Sequence, residues 1–100
     1  MEFIEPILTG FTIYSKSGCS NCIKVKNLLK EKNFLFNVVD CDEYIIEEKE
    51  LFLLFIKEHA NKECKMFPMV FINGKYIGGY IETRDYIDNE LVSFDEFLDF

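Results

Sequence analysis

Cys19 and Cys22, two residues apart in Lys16-Ser-Gly-Cys19-Ser-Asn-Cys22, are the side chains in this sequence best suited to do chemistry. Phe11 to Tyr14 is aromatic and β-branched enough to form a strand, and the run from Ile23 has the periodicity of an amphipathic helix. Gly18 marks the turn between them. A thiol on the first turn of a helix faces unpaired backbone N–H groups and the positive end of the helix dipole, which favour thiolate over thiol. Thiol–disulfide exchange is the chemistry open to such a pair. The competing reading is a zinc half-site or an incidental pair, but Cys41 and Cys64 supply no second CxxC, and His59 is the one imidazole in the chain.

Within the predicted helix, Cys22, Val25, Leu28 and Leu29 share an inward stripe, with Lys24, Lys30 and Lys32 outside it. Cys19 lies beyond that stripe at the exposed tip. Cys19 is therefore expected to attack and Cys22 to be shielded and to resolve. Cys41, at the end of the second strand, reads as a buried, inert thiol, and Cys64 as either structural or a regulatory thiol. His59 reads as a surface residue at a helix C-terminus. Met66 and Met69 read as core or groove-lining residues. Lys16 is either a solvated lysine or a positive charge supporting the nearby thiolate.

The elements that must position these residues are a strand at about 11–15, a helix at about 20–32, a strand at about 34–40 and a helix at about 44–60. Strands at about 69–73 and 75–77 and C-terminal helices complete the order. Joining the first two strands through a helix makes them parallel, by a right-handed crossover. The greasy run Leu51 to Ile56 must pack on one face of the sheet. Asn73-Gly74 between β-prone runs predicts a hairpin with a type I′ turn, in which both central residues need φ > 0. The sheet is thus mixed, with a parallel and an antiparallel pair. A helix is expected from about Tyr80 to Asn89, and a last one capped by Ser93 and Glu96.

At 100 residues the chain is expected to form a single domain over 1–100, with a real core. Its net charge of −7 argues against a general nucleic-acid binder, which needs a clustered basic face. The acidic run in 40–50 reads as a solvated helix start or a partner-recognition surface. The N-terminus is acidic and has no long apolar stretch, so neither a secretory signal nor a membrane span is expected, and a reducing, cytoplasmic setting is.

Three segments together, Lys16-Ser-Gly-Cys19-Ser-Asn-Cys22, Met66-Phe-Pro68-Met-Val-Phe-Ile-Asn-Gly-Lys and Tyr76-Ile-Gly78-Gly79, resemble the glutaredoxin family, dithiol type. The resemblance runs from about Phe11 to Asn89. It implies a thioredoxin-like α/β fold: a four-stranded mixed sheet, two strands parallel and two antiparallel, flanked by helices, with an extra C-terminal helix. It also implies a glutathione-dependent oxidoreductase that reduces protein disulfides and protein–glutathione mixed disulfides through catalytic Cys19 and Cys22, with no metal in the dithiol enzyme. Glutathione would be held by Lys16, Phe67, Pro68, Gly79 and Tyr80, with a cis Phe67–Pro68 peptide facing the cysteines and Lys65 adding positive charge beside the groove. Expected partners are glutathione and disulfide-bearing or glutathionylated proteins, ribonucleotide reductase among the family's targets, with the chain acting as a monomer.

Two alternatives stay open beside this reading. One is a [2Fe–2S] carrier or sensor in which two chains share a cluster through Cys19 and glutathione. The other is a dithiol electron donor reduced by a flavoprotein reductase. Two departures from the family pattern bear on these readings. Ser20 and Asn21 stand where Pro and Tyr are common. Ile81 stands where Ser or Asp usually holds the γ-glutamyl group, which leaves that task to backbone N–H groups at the helix start or to Thr83.

Overall fold

The computed structural model describes residues 2–92. Four strands, β1 (Phe11–Ser15), β2 (Phe36–Asp40), β3 (Met69–Ile72) and β4 (Lys75–Gly78), form one sheet in the order β2-β1-β3-β4. β1 pairs parallel with β2, Phe11 opposite Phe36 through Ser15 opposite Asp40, and antiparallel with β3, Phe11 opposite Ile72. β3 and β4 are antiparallel, with an irregularity at Val70/Phe71. Helices α1 (Ser20–Glu31), α2 (Asp42–Ala60) and α3 (Tyr80–Tyr86) connect and cover the strands, and α3 runs on as a π-helical stretch, Ile87–Val92.

Every residue of β1 is buried, as expected of a central strand covered on both faces. Alternate side chains divide the core in two. Phe11 and Ile13 pack with Val25 and Leu29 of α1, Val70 of β3 and Ile87. Tyr14 packs on the opposite face with Val39, Met69, Phe71, and Tyr44, Phe52 and Ile56 of α2. The expected inward stripe of α1 is therefore present, with Cys22, Val25 and Leu29 buried. The greasy middle of α2 covers the other face, and a kink at Glu48, φ −144°, separates its acidic start from that apolar part.

Most element boundaries fall within two residues of expectation. β2 begins at Phe36: the Leu35 carbonyl accepts the Phe11 N–H, the first bond of the parallel pairing, while the N–H of Phe34 still bonds back to Leu29 at the end of α1. The hairpin turn has φ of 49° at Asn73 and 83° at Gly74, the positive pair that a type I′ turn requires. Asn73 also ties the turn to the segment before β1: the Gly10 N–H donates to its Oδ1 at 2.7 Å, and its own N–H donates to the Gly10 carbonyl at 2.9 Å. The terminal helix expected from Ser93 lies outside the described residues. Among the described residues no helix is long and apolar enough to cross a membrane.

Candidate active site

The parallel pair β1–β2 ends at Ser15 and Asp40, so the loops leaving both strands emerge on the same edge of the sheet. Ligand sites of open α/β sheets sit outside that edge. The loop after β1 turns through Gly18, φ +69°, and delivers Cys19 to the N-cap of α1. There its backbone is extended, φ −111° and ψ 106°, and its Sγ accepts the N–H of Cys22 at 3.2 Å. One of the helix's unpaired donors is thus spent on the thiol. All four cysteines are free.

The two thiols are unequal, as the sequence predicts. Cys19 is half-buried and Cys22 fully buried. Burial pushes the Cys22 thiol up from its ordinary range and the neighbouring Cys19 adds to this, while the Lys16 backbone N–H and the Ser15 hydroxyl pull it back. Cys41 is completely buried and donates its S–H to the Val39 carbonyl at 3.4 Å. Its desolvation raises the thiol to about 12, matching the inert role read from the sequence. Cys64 is also buried and donates to the Lys62 carbonyl at 3.5 Å.

Beside Asn21 an open groove of about 370 Å³ runs between the segment Lys62 to Pro68 and the segment Tyr76 to Glu82. Phe67, Pro68, Gly79 and Tyr80, four of the residues expected to hold a ligand, all line it. The Phe67–Pro68 peptide is cis, as expected. Lys16 lines a separate recess with Ser17, Lys26 and Asp40, yet its ammonium reaches 5.7 Å from the Phe67 ring centroid and so approaches the groove. Lys65 also lines the groove, together with Lys62, whose ammonium lies 5.9 Å from the Tyr76 ring centroid.

At the far end, two side chains behave differently from the sequence reading. Thr83, offered as a substitute for the absent Ser or Asp, is fully buried, and its hydroxyl has no hydrogen-bond partner among the described residues. Glu82 was not singled out, yet its carboxylate accepts the Gly79 N–H at 2.8 Å and its Cβ and Cγ lie against Gly78, where an added Cβ would come within 2.7 Å of them. The signal for it was present in the spacing Gly79-x-x-Glu82, half of a capping box in which N3 reaches back to the N-cap. Among the described residues no three His, Cys, Asp or Glu side chains gather into a metal-binding group.

A mixed sheet carrying a helix-capping CxxC, with a cis-proline segment across the groove from Asn21, defines a thioredoxin-like thiol–disulfide oxidoreductase. Within that class the chain belongs to the glutaredoxin family, whose model matches residues 11–77. Glutaredoxin 1 of Rickettsia felis is 38% identical over 75 residues, 75% of this chain and 69% of the relative. The crystal structure of glutaredoxin 1 from Francisella tularensis, complexed with cacodylate, superposes with a TM-score of 0.71 at 25% identity, over 82% of this chain and 95% of that one. A buckwheat glutaredoxin–glutathione complex shares the fold, with a TM-score of 0.67 at 24% identity, over 83% of this chain and 73% of that one.

Proposed function

We propose that the protein is a glutathione-dependent oxidoreductase that reduces protein–glutathione mixed disulfides and protein disulfides, with Cys19 as nucleophile and Cys22 as resolving thiol. The observation that carries this reading is the pairing of an accessible Cys19 at the α1 N-cap with a buried Cys22 one turn below it. The groove beside them supports the peptide-like ligand. An extended γ-glutamyl-cysteinyl-glycine would lie along Phe67–Pro68, its glycyl carboxylate towards Lys16 and its other end near Gly79 and Tyr80. The same fold holds glutathione in the buckwheat protein.

On a glutathionylated protein, the Cys19 thiolate attacks the glutathionyl sulfur. The protein thiolate leaves and takes up a proton, and Cys19 keeps the glutathionyl group. A second glutathione thiolate attacks that group, releasing glutathione disulfide and regenerating the Cys19 thiolate. On a protein disulfide, Cys19 forms a mixed disulfide with one substrate sulfur and the other leaves as a thiol. Cys22 then attacks the Cys19 sulfur, releases the substrate, and leaves a Cys19–Cys22 disulfide for two glutathiones to reduce. Once Cys19 is bonded its upward push on Cys22 disappears, while the Lys16 N–H and Ser15 hydroxyl still favour the Cys22 thiolate. Resolution is thereby tied to completion of the first step. Such an activity suits a reducing cytoplasm.

The test is glutathione-coupled turnover of a small mixed disulfide by wild type, Cys19→Ser and Cys22→Ser. Loss confined to Cys19→Ser, with Cys22→Ser failing only on protein disulfides, is the expected result. An inactive wild type that is reduced by a flavoprotein reductase would overturn glutathione dependence.

A further inference from the structure

The parallel pairing that aligns the ends of β1 and β2 also brings the loop before Cys19 against the start of α2. Asp42 is the first residue of α2, and both its carboxylate oxygens face Ser17. The Ser17 N–H donates to Oδ1 at 2.8 Å and the Ser17 hydroxyl donates to Oδ2. Asp42 is itself held in place, since its backbone N–H donates to Asp40 Oδ1 at 3.0 Å and the preceding Cys41 N–H donates to the Ser15 carbonyl at 2.8 Å. The two Ser17 bonds, with the Lys16 charge nearby, hold the Asp42 carboxyl below its ordinary range, so it is an acceptor on both oxygens at neutral pH.

Apart from the Lys16 ammonium over the Phe67 ring, packing does little to hold this loop. Lys16, Ser17 and Gly18 are all exposed, and nothing lies within 4 Å of a Cβ built on Gly18. Yet the loop carries two contacts that the chemistry uses: the Lys16 N–H towards Cys22 and the placement of Cys19 at the N-cap. A two-pronged, charge-assisted bond from a helix rooted in the core can hold such a segment where apolar contacts do not.

We propose that Asp42 is a positioning residue for Cys19, anchoring Ser17 so that the thiol stays at the α1 N-cap. The proposal rests on the reading of Cys19 as the attacking thiol and assigns a role to a residue two elements away in sequence.

The experiment compares Asp42→Ala with Asp42→Asn, which remove the same charge but differ in whether an oxygen remains for the Ser17 N–H. Ser17→Ala, which deletes only the hydroxyl arm, is the third variant. The primary readout is the iodoacetamide alkylation rate of Cys19 at fixed neutral pH, followed by peptide mass spectrometry. Helix-end stabilisation of an anion amounts to roughly two- to fivefold in rate. Asp42→Ala is therefore expected to react about threefold more slowly than Asp42→Asn, with Ser17→Ala between them. Turnover should show kcat falling in the same order, with KM for the mixed disulfide changing less than about twofold.

Equal alkylation rates in Asp42→Ala, Asp42→Asn and wild type would overturn the proposal, whatever happens to their melting temperatures. If Asp42→Ala does not fold, the comparison passes to Ser17→Ala against wild type, where equal rates overturn it. An inactive wild type in the glutathione assay would count against the proposed function alone, because alkylation of Cys19 needs no glutathione.

Discussion

The Lys16 ammonium stands 5.7 Å from the centroid of the Phe67 ring, joining the loop that precedes the CxxC to the segment that contains the cis peptide. These residues are 51 positions apart in sequence. An exposed cation over this half-buried ring gains about 0.5–1 kcal/mol and is held without being neutralised, so it remains available to a carboxylate. Lys16→Met keeps the stem and removes the charge. KM for a glutathione mixed disulfide is expected to rise about fivefold while kcat stays within about twofold. Steady-state kinetics on the peptide-containing substrate and on a small uncharged disulfide check this, since the second substrate should show no such rise.

Phe52 is fully buried and contacts the rings of Phe3, Tyr14, Tyr44, Phe55 and Phe67, lying nearly parallel to the last at 6.2 Å. It therefore supports both the α2-side core and the Phe67 wall of the groove. Phe52→Ala is expected to cost about 3–5 kcal/mol in urea unfolding. Where the variant remains folded at low temperature, KM should also rise, because Phe67 loses the ring behind it.

Gly78 has φ +142°, and a Cβ there would meet the Glu82 side chain at 2.7 Å. Gly78→Ala must both strain the backbone and push Glu82 away from the Gly79 N–H. A loss of about 1–3 kcal/mol is expected from the backbone alone. Thermal melting measures it, and Glu82→Ala provides the comparison: the double variant should be less destabilised than the sum of the two singles, because the Gly79 hydrogen bond is lost only once and the contact with the residue-82 Cγ is removed, while its Cβ still crowds position 78.

The buried Cys41 thiol gives the stability a dependence on alkaline pH. Its value is raised from an ordinary 9.0 to about 12, so its contribution is complete below pH 9. Between about 9 and 12 the unfolded thiol ionises while the folded one does not, and stability falls as pH rises, with a limiting slope of about 1.4 kcal/mol per pH unit for one group. Urea midpoints measured across that window should fall less steeply in Cys41→Ala than in wild type. The slope that remains belongs to Cys22, Tyr14 and Tyr76, all also raised by burial.

Local rules made much of this protein legible from its residues. The CxxC at a helix start, the Asn73-Gly74 turn, the crossover that makes β1 and β2 parallel, and the buried stripe of α1 each depend on neighbours a few positions away, where backbone sterics and side-chain period act. The resemblance carried by the Phe67–Pro68 and Gly78-Gly79 segments added the groove residues. Only the tertiary structure decided how the distant pieces meet. Sheet order puts Asp42 beside Ser17 and Lys16 over Phe67, and the docking of α3 buries Thr83 and leaves Glu82 free to fold back on Gly79. Such contacts depend on the three-dimensional alignment of strand ends and helix faces, which the periodicity of a single segment does not encode.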